Sequence, residues 1–261
     1  MRFPLGLTAD LAIGRARQTL RGAVSQPLIL HLPVLAGSPN SPIPIASDDC
    51  LGAIDASSAP VVWIGGPEPL LHPEIGRLAR RIVDVGRHVF VETDGTRLHR
   101  RIHEFRPVSR LFLTVRFDGL EERHDRCVGR EGAFREALQG IRTAKLSGFL
   151  VCAQITVCAD TETAELGKLR ELLTRRDVDG FIVSAGSNTT NAAHARSEYP
   201  RMQKSLNEAR ARMPGRRWRW FSRLLNDSVL AAQAAVPGAN GEPDRSSAPE
   251  EQACQESVEA S

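Results

Sequence analysis

Short apolar runs bounded by turn residues alternate along this chain with longer segments of helical periodicity, and that alternation restricts the fold more than any other feature. Apolar runs at 27–35, 60–64, 87–92, 110–116, 149–157 and 180–184 predict strands. Helical spacing predicts helices over 8–21, 47–56, 96–105, 131–146, 163–174 and 197–212, with another opening at Pro73. Residues 218–221 read as a last strand, followed by a helix to about residue 235. Strands alternating with helices specify a parallel sheet with right-handed crossovers. Six or seven such units predict an α/β fold, a partial (β/α)6-type barrel of parallel strands with outer helices. The expected organisation is an N-terminal helix within 1–25, a barrel over 26–236 and a disordered acidic tail over 237–261.

Charge sets the tail apart. The chain carries 34 Lys and Arg against 31 Asp and Glu; the tail takes six acids and one base, leaving 33 bases against 25 acids, or +8, in the body. A positive body can attract anionic ligands, but the arginines are scattered over helix surfaces, and no nucleic-acid partner is expected. Bases alternate with aromatics in Arg216-Arg217-Trp218-Arg219-Trp220-Phe221, which reads as Trp packed in the barrel with Arg reaching outward. No apolar run approaches the roughly 20 residues of a membrane-spanning helix, and Met1 to Leu5 lacks the apolar core of a signal peptide, so a cytoplasmic location is the expectation. The N-terminal helix, with Arg15, Arg17 and Arg21, is read as closing the bottom of the barrel; a peripheral membrane contact is its other reading.

In barrels of this kind the functional groups gather at the C-terminal ends of the strands. Alternation along 110–118 puts Leu111, Leu113, Val115 and Phe117 on one face, and Thr114, Arg116 and Asp118 on the other. The polar faces are expected to point into the barrel mouth. Glu68, Glu92, Asp94, Arg116, Asp118, Gln154, Thr156 and Ser184 then converge on one rim, a polar ring suited to a small-molecule ligand. Each residue alone is also ordinary turn chemistry. A hard cation on Glu68, Glu92, Asp94 and Asp118, with His31, His72 or His124 as acid or base, would give a divalent-metal enzyme. The five cysteines, Cys50, Cys127, Cys152, Cys158 and Cys254, include no pair two or three residues apart, the spacing that zinc and iron–sulfur sites use.

Four stretches carry a family resemblance: Pro60 to His72, with Gly65-Gly66-Pro67-Glu68-Pro69-Leu70-Leu71-His72; Val91-Glu92-Thr93-Asp94; Leu113 to Gly119 with His124-Asp125-Arg126; and Val178 to Ser184. Through them the chain resembles the radical S-adenosylmethionine superfamily, most closely the hopanoid-biosynthesis branch that adds an adenosyl group to a hopene. The resemblance runs to about residue 225. It implies S-adenosylmethionine or a related nucleoside as ligand, bound by Gly66, Glu68, Thr93, Asp94, Arg116, Asp118 and Ser184.

The departures fall in the cofactor site. The superfamily holds a [4Fe–4S] cluster with Cys-x3-Cys-x2-Cys after its first strand; the corresponding positions here are Ala36, Asn40 and Ile43. No cluster and no metal are therefore expected. The turn that presents backbone groups to the cofactor's amino group carries Pro67, which removes an N–H and fixes φ. The expected function is that of a degenerate member without radical chemistry, a ligand-binding or regulatory partner of an active paralogue in hopanoid or isoprenoid lipid metabolism. An active radical or adenosyl-transferring enzyme is the alternative; no catalytic residue can be named.

Overall fold

A computed structural model describes residues 3–21, 27–38, 41–158, 161–186 and 192–234. In chain order its elements are α1 (Leu5–Arg21), β1 (Ile29–Pro33), β2 (Leu35–Ser38), β3 (Ser41–Pro44), α2 (Ser47–Ala56), β4 (Val61–Gly65), α3 (Ile75–Asp84), β5 (His88–Thr93), α4 (Leu98–Arg101), β6 (Leu111–Phe117), α5 (Glu121–Val128), α6 (Ala133–Leu146), β7 (Leu150–Val157), α7 (Thr163–Thr174), β8 (Gly180–Ala185), α8 (Ala192–Arg212) and α9 (Arg216–Ala234). The tail over 237–261 lies outside the described residues.

Six strands pair in parallel in the order β1-β4-β5-β6-β7-β8, a sheet curled into half a barrel with helices around it. Period-two alternation sorts each strand into two cores. Leu111, Leu113, Val115, Phe117, Val151, Ala153, Ile155 and Val157 pack outward with the surrounding helices. Trp63, Phe90, Phe112, Cys152 and Ile182 face inward, where they meet Leu7 and Leu11 of α1 and Trp218, Phe221 and Leu225 of α9. The inner core is a run of rings: Trp63 stacks on Phe90 at 5.5 Å, Phe90 on Phe112 at 4.4 Å and Phe90 on Phe221 at 5.0 Å. Burial of such rings is among the largest apolar terms a small domain has.

The expected strand at 218–221 is instead part of α9. Trp218, Phe221 and Leu225 recur at helical spacing and form one buried face, whereas Trp220 is 38% exposed. This helix occupies the gap between the two sheet edges. Ser222 Oγ accepts from Val183 N at 3.1 Å, and Asn226 bonds both Val183 O (2.8 Å) and Ala185 N (3.1 Å), so side chains satisfy the open edge of β8. On the opposite edge His31 of β1 meets Ser228 Oγ at 2.7 Å. A seventh parallel strand is unnecessary where a helix supplies the missing donors and acceptors.

Three other expectations shift. The strand expected over 27–35 ends at Pro33, and the residues after it form the antiparallel hairpin β2–β3. The helix expected over 96–105 is one α-turn, Leu98–Arg101, continued by a 3-10 turn over Ile102–Glu104. Helix α5 was not foreseen, because its only buried residue is His124 and it has no apolar stripe; Gly129 ends it at φ 74°.

Candidate functional site

The bottom of the barrel is closed and apolar, and its C-terminal rim is polar. Register explains the layering. Trp63, Phe90 and Phe112 align in one row; Glu92, Thr114 and Cys152 align a step higher; Arg116 aligns with Gln154 a step above that, and Thr156 with Ser184 one step higher still. The inward parity that places aromatics on the floor therefore places ionisable and amide groups at the mouth.

The expected site residues separate into two groups. Glu68, Thr93 and Asp94 join the turns after β4 and β5. Glu68 is 6% exposed, and both its oxygens are engaged: Oε1 accepts from Leu70 N at 3.0 Å and Thr93 Oγ1 at 2.9 Å, and Oε2 from Asp94 N at 2.7 Å. Burial first, then the Asp94 charge, push its carboxyl up to about 8, although the backbone bonds from Asp94 and Leu70 oppose them. Asp94 Oδ1 accepts from Thr96 N at 2.8 Å and Thr96 Oγ1 at 2.7 Å. Gly66 takes φ 127°, which only glycine adopts readily, beside Leu35 of the hairpin. Glu68 thus ties the two loops together through hydrogen bonds within the chain.

Glu92, Arg116, Asp118, Gln154 and Ser184 make the second group. Arg116 Nη1 lies 3.5 Å from Glu92 Oε1, and Arg116 Nε 3.8 Å from Asp118 Oδ2. Burial works against the Arg116 charge, but Asp118, Glu92, Glu68 and Asp94 outweigh it and hold the guanidinium above its ordinary value. Burial likewise pushes Asp118 up, but the His124 ring, whose Nδ1 lies 3.6 Å from Asp118 Oδ2, and the Arg116 charge hold it below the usual carboxylate range. Gln154 Nε2 donates to Ser184 Oγ at 3.0 Å and approaches Glu92 Oε1 at 3.5 Å. Trp63 Nε1 donates to Glu92 Oε2 at 2.8 Å; sequence reasoning missed this residue, although its inward parity with Gly65 on β4 was the available signal. Gln154 Oε1 and Thr114 Oγ1 are buried and have no hydrogen-bond partner among the described residues. Orphaned acceptors in a polar layer are the kind of exception that a bound ligand resolves.

The histidines considered as acid or base are placed structurally. His72 Nε2 donates to Ile45 O at 2.9 Å while its Nδ1 accepts from Glu74 N at 3.1 Å. His124 is buried, and its Nδ1 accepts from Asp118 N at 3.3 Å. The divalent-metal reading finds no set of ligands: among the described residues no three His, Cys, Asp or Glu side chains are placed to share an ion. The carboxylates are spent on backbone donors and on Arg116.

The segment where a cluster loop would lie is the β2–β3 hairpin, in which Ala36 pairs directly with Ile43; Ile43 is 60% exposed, and Asn40 lies outside the described residues. The described thiols are dispersed: Cys50 is buried on α2, Cys127 is exposed on α5, Cys152 lies in the inner core, and Cys158 follows β7. Burial pushes the Cys152 thiol well up, against the thiolate that iron requires. These residues do not fit a [4Fe–4S] cluster.

A parallel half-barrel with a charged mouth at its strand C-termini defines a class of ligand-binding α/β proteins. The family model described as the radical SAM superfamily matches residues 48–193, more than half of the chain, and the chain belongs to that superfamily. The match opens within α2, so the β2–β3 hairpin lies outside it. Among curated proteins, the AdoMet-dependent heme synthase of Methanosarcina barkeri is 32% identical over 145 residues, covering 51% of this chain and 42% of that protein. The pre-heme d1 synthase of Dinoroseobacter shibae is 28% identical over 158 residues, covering 57% and 39%. The chain thus spans less than half the length of these relatives. Their names point to haem-type synthases and lend the hopanoid assignment no support. In fold, the crystal structure of Streptococcus suis SuiB superposes with a TM-score of 0.50 at 14% identity, over 76% of this chain and 50% of that one.

Proposed function

We propose that this chain binds S-adenosylmethionine or a related nucleoside at the barrel mouth and does not cleave it by radical chemistry. The observation that carries this reading is a contrast at one end of the sheet. The polar mouth around Arg116 is built and holds orphaned acceptors, while the adjoining hairpin offers no sulfur at Ala36 or Ile43. A cluster supplies the electron that breaks the sulfonium in this superfamily, and three thiolates hold it. The mouth can bind and orient a cationic ligand without one, because Glu92, Asp94 and Asp118 outnumber Arg116 there. Such a chain would act as a binding or regulatory partner of a protein that retains the cluster.

Anaerobic reconstitution of the purified chain with iron and sulfide tests one half of the reading. The expected result is protein without iron and without iron–sulfide absorbance in the visible. Calorimetric titration with S-adenosylmethionine tests the other half, and saturable heat is expected. A stable four-iron cluster together with 5′-deoxyadenosine production would overturn the proposal. It would favour the second reading that the relatives support, an active enzyme on a tetrapyrrole-type substrate.

A further inference from the structure

Helix α1 has two apolar faces, and the protein uses only one. Leu7 and Leu11 are buried against the barrel floor, and at Gly14 the helix comes so close that a Cβ would lie 2.8 Å from Leu28. Asp10, the sole acid of the helix, is turned in, where its Oδ2 accepts from Arg110 at 2.7 Å and from His88 at 3.0 Å. His88 and Arg110 stand at the N-terminal ends of β5 and β6, so α1 lies across the closed end of the barrel, opposite the mouth.

The other face points to solvent. Leu5, Ala9, Ala12, Ile13, Ala16 and Leu20 follow one another at spacings of three, four and one, a single stripe on a 3.6-residue helix. Leu5 is 78% exposed, Ile13 49% and Leu20 85%, and the three alanines are exposed as well. Arg15 and Arg17 flank the stripe on opposite sides; both are exposed, and neither has an ion pair among the described residues.

We propose that this outer face of α1 is a docking surface for an anionic lipid bilayer, on which the helix lies in the plane of the interface. An apolar stripe bordered by arginines, with its acid turned away, matches the charge and polarity profile of an anionic membrane surface. A second copy of the chain fits less well. A two-fold contact would bring arginines against arginines, with no carboxylate on that face to pair with them. The contact is peripheral, because no described helix is long and apolar enough to cross a membrane. It leaves the barrel mouth pointing away from the lipid, open to ligand or partner.

Co-sedimentation of the full chain with vesicles tests this. Wild type is expected to pellet with mixed phosphatidylcholine–phosphatidylglycerol vesicles and to stay in solution with phosphatidylcholine alone. Added salt should weaken the binding. The pair Ile13→Glu and Leu20→Glu should abolish it. Arg15→Gln and Arg17→Gln should each lower affinity roughly fivefold. All four positions are exposed, and thermal melts matching wild type confirm that the variants fold. Three results would overturn the proposal: no binding to anionic vesicles, binding that these substitutions leave unchanged, or a dimer in light scattering that Ile13→Glu and Leu20→Glu dissociate.

Discussion

Glu68 is held by the two loops that it joins. Its carboxyl collects Leu70 N, Asp94 N and Thr93 Oγ1 in a site from which water is nearly excluded, and the Asp94 carboxyl stands beside it. Burial first, and then the Asp94 charge, disfavour the ionised form, which is why Glu68 is pushed up to about 8 from an ordinary 4.5. The folded chain therefore holds this proton more tightly than the unfolded chain does. The resulting stabilisation is complete below about pH 4.5, declines as the pH climbs, and is gone above about pH 8. Urea midpoints measured between pH 5 and pH 9 should fall with rising pH in wild type and fall much less in Glu68→Gln, which is neutral throughout. An unchanged slope in Glu68→Gln would assign the proton elsewhere. Glu68→Ala should cost more than Glu68→Gln, about 3 kcal/mol, because it leaves three buried donors without an acceptor.

At the scale of elements, α9 decides whether the half-barrel is finished. Its Trp218 indole occupies the space above Gly180, where a Cβ would fall 2.3 Å from Cε2 and 2.4 Å from Cζ2. Gly180→Ala should therefore destabilise by about 2 kcal/mol through overpacking, and Trp218→Ala by about 3–5 kcal/mol through the cavity it leaves. The two effects should not add: with the indole gone, the alanine methyl has room, and Gly180→Ala becomes nearly neutral. Chemical denaturation of both single variants and the double variant measures this, and simple additivity would refute the contact. The same helix marks where the sequence could be read and where it could not. Strands β4 to β8 were legible because buried parallel strands are short apolar runs between turn residues, as in Val61-Val62-Trp63-Ile64. The rim followed from parity along 110–118, which brings Arg116 and Asp118 together. Around Trp218 the aromatics alternate with arginines and imitate a strand; the helical face appears only when Leu225 is counted with Trp218 and Phe221. The β2–β3 hairpin was hidden by Pro39, Pro42 and Pro44, since proline is poor in strands except at edges, and this hairpin is all edge. The role of Glu68 was hidden for another reason: its hydrogen bonds to Thr93 and Asp94 come from a turn 25 residues away, and no local pattern records them.

Across the whole molecule, the two ends of the barrel present different charged groups. The closed end presents Arg15 and Arg17 on the outer side of α1, while at the mouth Glu68, Glu92, Asp94 and Asp118 surround Arg116, and Arg123 Nε donates to Asp118 O at 2.9 Å. With Glu68 protonated near neutral pH, the Glu92, Asp94 and Asp118 carboxyl groups still surround Arg116. The apolar floor of Trp63, Phe90 and Phe112 beneath the mouth strengthens the field of these groups on whatever enters it. If the mouth binds the ligand proposed above, a preference for positive ligands is the expected outcome. S-adenosylmethionine carries a sulfonium, and S-adenosylhomocysteine, with the same nucleoside and amino acid, carries a neutral thioether. Titration of each at low ionic strength should show the sulfonium compound bound at least ~5-fold more tightly, a difference that shrinks as salt screens the mouth. Arg116→Gln removes the guanidinium that these carboxyl groups surround and should widen the gap between the two ligands, provided Glu92 and Asp118 stay in place. Equal affinities in wild type at every salt concentration would mean that the carboxylates are fully taken up by their neighbours, and that recognition at this mouth rests on the orphaned acceptors of Gln154 and Thr114 instead.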